Sequence, residues 1–342
     1  MQELKSFLDA FLSHAWDIAL YPLDPSNRIY YVYLGSSVLF AFAIYALKKR
    51  RAEKVEGERT FLGFLFPKKV WSHPSAWLDV RYFFFHKLVG HFLMLGLLGG
   101  SAALAFSWAI GDVNASDAAA VQPIEGWWGF SATIAFMFVF YLVVDFIAFY
   151  VHYLQHKIPI LWQFHKVHHS AEVMHPLSNF REHPVDNLFY NIAIGLGAGA
   201  TSGLAFNFLG YTPGLPTLLG VPLLMFLFNI VGYNLRHSHI WLRWPGIWSK
   251  LFPSPAHHHV HHSCHPDHLD KNFAFMFPLW DVLFGTYVMP EDNRDVKFGV
   301  TEKDRGHELN SCMKLYLLPF KEAWRILRRD NRRDKGESRP AE

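Results

Sequence analysis

Twice the chain spells the same word. His165-Lys166-Val167-His168-His169-Ser170 returns as His258-His259-Val260-His261-His262-Ser263, and His152-Tyr153-Leu154-Gln155-His156 stands just ahead of the first copy. On a helix, positions i, i+3 and i+4 share one face at roughly 100° per residue. Each long word is therefore expected to turn three imidazoles one way, and the short one to turn two. Neutral imidazole is the commonest metal ligand among side chains. The eight imidazoles so aimed exceed what one tetrahedral zinc takes. They point to two metals in a nitrogen-rich site, and to a fold that brings sequence-distant stretches together.

The rest of the chain sets that site beside a membrane. Of 342 residues, 51% are hydrophobic and only 18% charged. Several apolar runs reach the roughly 20 residues that a bilayer span needs. The formal net charge of +3 is too small to point to nucleic acid. Cys264 and Cys312 make neither a disulfide framework nor a Cys-x-x-Cys site. Asp9 and Asp17 stand where a signal peptide would be basic.

A first span is expected over Tyr30–Leu47, stopped by Lys48, Lys49, Arg50 and Arg51. With Arg59, Lys68, Lys69 and Arg81, that block marks a cytoplasmic loop by the positive-inside rule. A second apolar stretch covers Tyr82–Ile110. The loop Gly111–Gly126 carries Asp112, Asp117 and Glu125 but no Lys or Arg, as an outer loop should. A third span, Trp127–Val151, returns, and Leu188–Leu209 with Gly214–Asn234 form a hairpin. This count puts His152–His183 and His237–His268 together on the cytoplasmic face.

The expected fold class is all-α: an integral membrane helical bundle with a cytosolic helical cap holding a histidine-rich di-metal site. Residues 1–29 form an N-terminal interfacial segment and 30–143 the first spans and basic loop. Residues 144–288 form the histidine-box catalytic domain with its hairpin, and 289–342 a C-terminal part. There Phe320, Trp324 and Leu327 make an apolar stripe among Lys321, Arg325, Arg328 and Arg329. That pattern suits either an anionic membrane surface or packing on the domain. A disordered tail is expected beyond Asp330.

The three boxes in this order, divided by an apolar hairpin and preceded by hydrophobic spans, resemble the fatty acid hydroxylase and sterol desaturase superfamily over Asp145–Tyr287. Arg181-Glu182-His183-Pro184, His237-Ser238-His239, Asp270-Lys271-Asn272 and the segment Trp280–Tyr287 extend the likeness. The resemblance implies metal ligands at His152, His156, His165, His168, His169, His237, His258, His261 and His262. His183, His239 and His257 are further candidates. It also implies two iron ions, with zinc as a substitute in preparations, and O2 as co-substrate. Imidazole by itself does not name the metal. Asp145 and Asp281 are expected to accept the second ring N–H of ligating histidines. His86 and His91, about 140° apart on a helix, are expected as interface anchors. His14, His73 and His307 are expected at the surface; His175, His265 and His268 fall off the spacing, and His259 should face away.

The implied reaction is hydroxylation or desaturation of a membrane lipid, with fatty acyl, sphingoid, sterol and carotenoid substrates all open. Gly195, Gly197, Gly199 and Gly203 allow either close helix packing or room for a chain. No flavin or nicotinamide glycine fingerprint is present, so electrons are expected from a separate ferredoxin or cytochrome b type protein. The sequence sets no oligomeric state. The alternative function is a metal transporter or metal-sensing membrane protein. Transporters place ionisable ligands near the bilayer midplane, whereas Leu188–Leu235 holds no Asp, Glu, Lys, Arg or His.

Overall fold

Apolar runs become helices here because a backbone facing lipid must satisfy its own hydrogen bonds. The computed structural model describes residues 2–51, 60–94, 97–111, 124–291 and 296–334. Helix α1 (Gln2–Ala19) leads to α2 (Tyr31–Arg50) and two short helices, α3 (Phe61–Leu65) and α4 (Lys68–Trp71). Then come α5 (Pro74–Met94), α6 (Leu97–Ile110), α7 (Gly126–Lys157), α8 (Pro159–His169) and α9 (Pro184–Leu209). A two-stranded antiparallel ribbon, β1 (Thr217–Leu218) against β2 (Val221–Pro222), precedes α10 (Leu223–Ile230). Helices α11 (Trp248–Leu251), α12 (Pro255–His261), α13 (Leu279–Phe284) and α14 (Cys312–Asp334) follow.

Three of these, α2, α7 and α9, are long and apolar enough to cross a membrane. The expected hairpin is corrected in its second arm. Gly214–Asn234 makes the ribbon and then an α10 of only 8 residues, about 12 Å long against a hydrocarbon core of about 30 Å. Pro216, Pro222 and three glycines (Gly214, Gly220, Gly232) divide that stretch. The stretch Tyr82–Ile110 belongs to two helices, and α5 already begins at Pro74. Helix α14 continues to Asp334, through residues expected to be disordered. Arg59, Asp112, Asp117 and everything beyond Asp334 lie outside the described residues.

Helix α7 has 32 residues, about 48 Å at 1.5 Å per residue. It is longer than the hydrocarbon core, and His152 and His156 lie in its last two turns. Pro at the first turn fixes the start of α8, α9 and α12, where the missing N–H costs nothing. The glycines of α9 serve close packing. A Cβ on Gly199 would sit 2.0 Å from Ala102 O, and one on Gly203 2.4 Å from Ala109 Cβ, both on α6. One on Gly197 would meet Ile147 of α7 at 2.0 Å.

Helix α14 buries Leu315 with Leu78, Tyr82 and Val167 of α5 and α8. Its other face exposes Met313, Leu317, Phe320, Trp324 and Leu327. His86 is not an interface anchor. It is buried, stacks on Tyr82 and pairs through Nδ1 with the Tyr316 hydroxyl at 2.8 Å. The side chain of His91 lies outside the described residues.

Asp145 fastens α7 to the segment behind the last box. Its carboxylate accepts from Met276 N at 2.8 Å, Phe277 N at 2.9 Å and Trp280 Nε1 at 3.1 Å. Asp145→Ala leaves these donors buried and unmet, a loss of about 2–5 kcal/mol. Thermal unfolding of the detergent-purified protein should show a large drop in melting temperature. Asp145→Asn, which keeps an acceptor, should lose less.

Candidate metal centre

Both long words form the last turns of short helices, α8 and α12. Tertiary packing brings all nine sequence-predicted ligand positions together, in two groups. One holds His152, His156, His165, His169 and His261; the other holds His168, His237, His258 and His262. Within each group the nitrogens lie within 4.8 Å of one another. The words do not each make one site. In each, the i and i+4 histidines stay in one group while the i+3 histidine crosses to the other. His261 thus joins His165 and His169, and His168 joins His258 and His262. The rings of His169 and His262 stack at 4.4 Å between the groups.

The first group is wired from behind. His152 Nδ1 lies 2.9 Å from Phe273 O, His261 Nδ1 2.9 Å from Lys271 O, and His165 Nδ1 2.9 Å from the Asp186 carboxylate. Carbonyl and carboxylate oxygens only accept, so each Nδ1 carries the proton and each Nε2 of a neutral ring is a bare lone pair. His156 Nδ1 faces Asp270 Oδ1 at 3.4 Å in the same sense. Nε2 of His152 and Nε2 of His165 then meet at 3.1 Å with no proton between them. His156 Nε2 and His261 Nε2 are buried with no hydrogen-bond partner. Lone pairs aimed at one another in a buried site repel, and a cation among them removes the conflict. The donor set fits a metal ion on that ground.

The second group is wired differently. His237 Nδ1 meets Ser178 Oγ at 3.0 Å. His258 Nδ1 takes an N–H from Arg236 Nη2 at 3.2 Å. A guanidinium only donates, so a neutral His258 carries its proton on Nε2. That nitrogen faces His237 Nε2 at 2.9 Å and His262 Nε2 at 3.0 Å. The one N–H on His258 Nε2 can serve only one of these two contacts, and His168 Nδ1 is buried with no hydrogen-bond partner; a metal at His258 Nε2 must move that proton.

Asp145 and Asp281 are corrected. Neither carboxylate receives an imidazole N–H. Asp281 accepts from Phe273 N and Ala274 N, both at 2.8 Å, and from Thr286 Oγ1 at 2.7 Å. It therefore orients His152 through the Phe273 peptide, whose carbonyl takes the imidazole proton. The carboxylates facing ring nitrogens of the cluster are Asp186 and Asp270, which the sequence reading passed over. Asp186 lies in the first turn of α9 just after His183-Pro184, and Asp270 opens the Asp270-Lys271-Asn272 piece.

The three further candidates stand outside both groups. His183 caps α9, accepting from Val185 N, with Nε2 donating to Tyr316 O at 2.9 Å. His239 Nε2 donates to Phe64 O at 2.7 Å. His257 joins Ser254 and Tyr287. His259 faces away onto Leu235 O, and His175 pairs with Asp79. Arg181 is fully buried and donates to Ser75 O, Ser170 O and Asp79, tying the end of α8 to α5.

Burial disfavours the imidazolium and holds His165 down at about 3 and His168 at about 4. His169, His237, His258, His261 and His262 move well down for the same reason. Neighbouring imidazoles reinforce the effect, as Arg236 does for His258. The rings are therefore neutral, the form that binds metal. A cavity of about 110 Å³ adjoins both groups, bordered by His152, His165, His168, His237 and His258 and by Asp186, Tyr190, Tyr233 and Arg236.

Residues 137–286 match the family model described as fatty acid hydroxylase. The chain is 29% identical over 181 residues to alkylglycerol monooxygenase of Danio rerio, covering 52% of the chain and 35% of that protein. It is 30% identical over 177 residues to ornithine lipid hydroxylase OlsE of Rhizobium tropici, covering 50% and 47%. It is 33% identical over 153 residues to a cholesterol 25-hydroxylase-like protein of Danio rerio, covering 42% and 52%. The chain thus spans about a third to a half of the length of these curated relatives. No solved structure matches it.

The unequal wiring predicts stepwise metal loading, readable by calorimetric titration of metal-free protein with Co2+ or Zn2+. The first group should fill first, because filling the second makes His258 shift its proton from Nε2 to Nδ1 and lose its bond to Arg236. His261→Ala should remove the first step and His168→Ala the second, although each residue belongs by sequence to the other group's word. Asp186→Asn should weaken the first step by about 10–100-fold. Equal, simultaneous steps would contradict the wiring.

Acid stability tests the same burial. The folded imidazoles titrate below their ordinary 6.5, so the unfolded chain takes up protons first on acidification. Stability falls wherever the unfolded state binds more protons. The metal-free protein should therefore be stable above pH 6.5 and lose stability progressively towards pH 4, as read by melting temperature against pH.

Proposed function

The chain belongs to the fatty acid hydroxylase superfamily, and on that premise we propose that it is a membrane-bound, O2-dependent hydroxylase of a lipid. The observation that carries this reading is the meeting of nine histidines, six buried and three half-buried, in two groups at the end of an apolar helix long enough to span a bilayer. The proposal assigns two iron ions to those groups. Iron, when bound, supplies the one-electron chemistry that an unactivated C–H bond requires and acid–base side chains lack.

The chain's own residues do the positioning. Phe273 O, Lys271 O, Asp186 and Asp270 hold the first group's rings by their far nitrogens. Ser178 and Arg236 do so for the second. Hydrogen bonds to the far nitrogen fix ring orientation, and a well-fixed constellation is what proximity effects demand. Ala148, Phe273 and Phe275 line the small cavity beside Tyr190 and Tyr233, which keeps a reacting carbon largely away from bulk water. In the overall reaction one oxygen atom enters the C–H bond and the other leaves as water. That balance takes two electrons and two protons, and an external donor of ferredoxin or cytochrome b type supplies the electrons.

The basic run Lys48–Arg51 at the end of α2 supports a multi-pass arrangement with the histidine centre on the cytoplasmic face. The exposed stripe of α14 beside Lys321, Arg325 and Arg328 suits contact with an anionic leaflet.

Comparing lipid extracts of cells with and without the gene tests the function directly. A lipid that gains one oxygen is the expected product. Loss of two hydrogens would make the enzyme a desaturase. No altered lipid, together with metal-dependent uptake of ions by proteoliposomes, would overturn the reading in favour of transport.

A further inference from the structure

A second, much larger cavity borders the small one. It measures about 630 Å³, within the size range of small-molecule sites. Its walls come from α7 (Phe138), α10 (Leu224, Leu227, Phe228) and the Trp244–Pro255 segment, closed by Met276 and Phe277. Only Tyr233 and Arg236 appear in the walls of both cavities. Arg236 is the one charged side chain in the lining of the larger cavity.

The charge of Arg236 is turned away from that apolar space. Its guanidinium lies 5.1 Å from the Phe275 ring centroid, 5.5 Å from Phe228 and 5.8 Å from Tyr233. Its N–H groups go to Phe275 O at 3.0 Å and His258 Nδ1 at 3.2 Å. What it offers the cavity is a flat edge boxed in by aromatic rings. At the outer end the lining is apolar and exposed: Phe138 at 51%, Leu227 and Val231 at 46%, Trp248 at 55%. Phe138 belongs to α7, a helix apolar and long enough to span, so this mouth opens sideways towards lipid.

We propose that the larger cavity seats one alkyl chain of a membrane lipid, and that Tyr233 and Arg236 form the sill over which the chain reaches the histidines. Three observations select that occupant. The lining is hydrocarbon, the mouth lies on the flank of a spanning helix, and the inner end touches the second histidine group through Arg236 and His258. The small cavity, about 110 Å³, admits a segment of chain and excludes a bulky headgroup. Chain length is therefore set by the larger cavity. This inference rests on the lipid-hydroxylase reading and adds to it the place where the chain lies.

The test uses the full chain in nanodiscs with a photoreactive probe, palmitate bearing a diazirine and an alkyne. After irradiation, adducts mapped by mass spectrometry are expected on Leu224–Phe228, Val231, Trp248 or Met276, and unlabelled palmitate should suppress them. Leu227→Trp, which fills the cavity, should cut this labelling by about tenfold or more while metal content per chain stays the same. Leu39→Trp, on the exposed face of α2, should change neither. Should Leu227→Trp fail to fold, the wild-type adduct map decides alone. Adducts confined to the outer faces of α2, α7 and α9, or insensitive to unlabelled palmitate, would overturn the proposal. If lipids gain oxygen but adducts map elsewhere, the chain seat falls and the function stands. If adducts map to the cavity but no lipid is oxidised, the function falls and the seat stands.

Discussion

Everything in this structure answers to a repulsion between lone pairs. Four imidazoles of the first group, those of His152, His156, His165 and His261, are held by their far nitrogens so that their near nitrogens carry no proton. A chain does not keep such an arrangement by hydrophobic packing alone. The orienting groups must outweigh the local conflict, and here they are backbone carbonyls and buried carboxylates locked in turn by further hydrogen bonds. Asp281 grips the peptide that orients His152. Asp145 grips the next turn of the same segment. Gln155 donates to the far oxygen of Asp186 at 2.6 Å.

The duplicated word looks like two copies of one half-site, yet the fold interleaves them. Crossing of His168 and His261 makes neither helix self-sufficient. α8 and α12 must both be placed before either group is complete. That explains the weight of buried polar structure behind α8, where Arg181, Asp79 and His175 form a network almost without solvent contact. A displacement of α8 by one ångström would spoil both groups at once. The second group also meets a cation, Arg236, where the first meets acceptors. The two halves are thus alike in ligand type and unlike in proton bookkeeping.

The apolar half of the molecule works through shape. Glycines on α9 bring the α6 backbone and the Ile147 side chain of α7 into close contact, which closes one side of the bundle. Prolines and glycines after α9 prevent a second long arm and leave a short helix, α10, with open apolar space beside it. The same residues that break the expected hairpin thus leave the apolar cavity of about 630 Å³ beside α10.

Sequence alone determined the helical membrane class and the nine positions that gather, because ligand spacing on a helix and the length of an apolar run are local properties. It also placed His259 away from the cluster. It did not divide the nine into groups, since a shared helical face does not say which neighbour lies opposite. It assigned Asp145 and Asp281 to ring nitrogens when both bind backbone, and it missed Asp186, Asp270 and Arg236. It took His86 for an interface anchor although α14 covers it, and it read two spanning arms where only one is long enough. Asp281 binds residues only 5 to 8 positions away, but the partners of Asp145, Asp186, Asp270, Arg236 and His86 lie 21 to 230 positions away, and such partners leave no period in the chain.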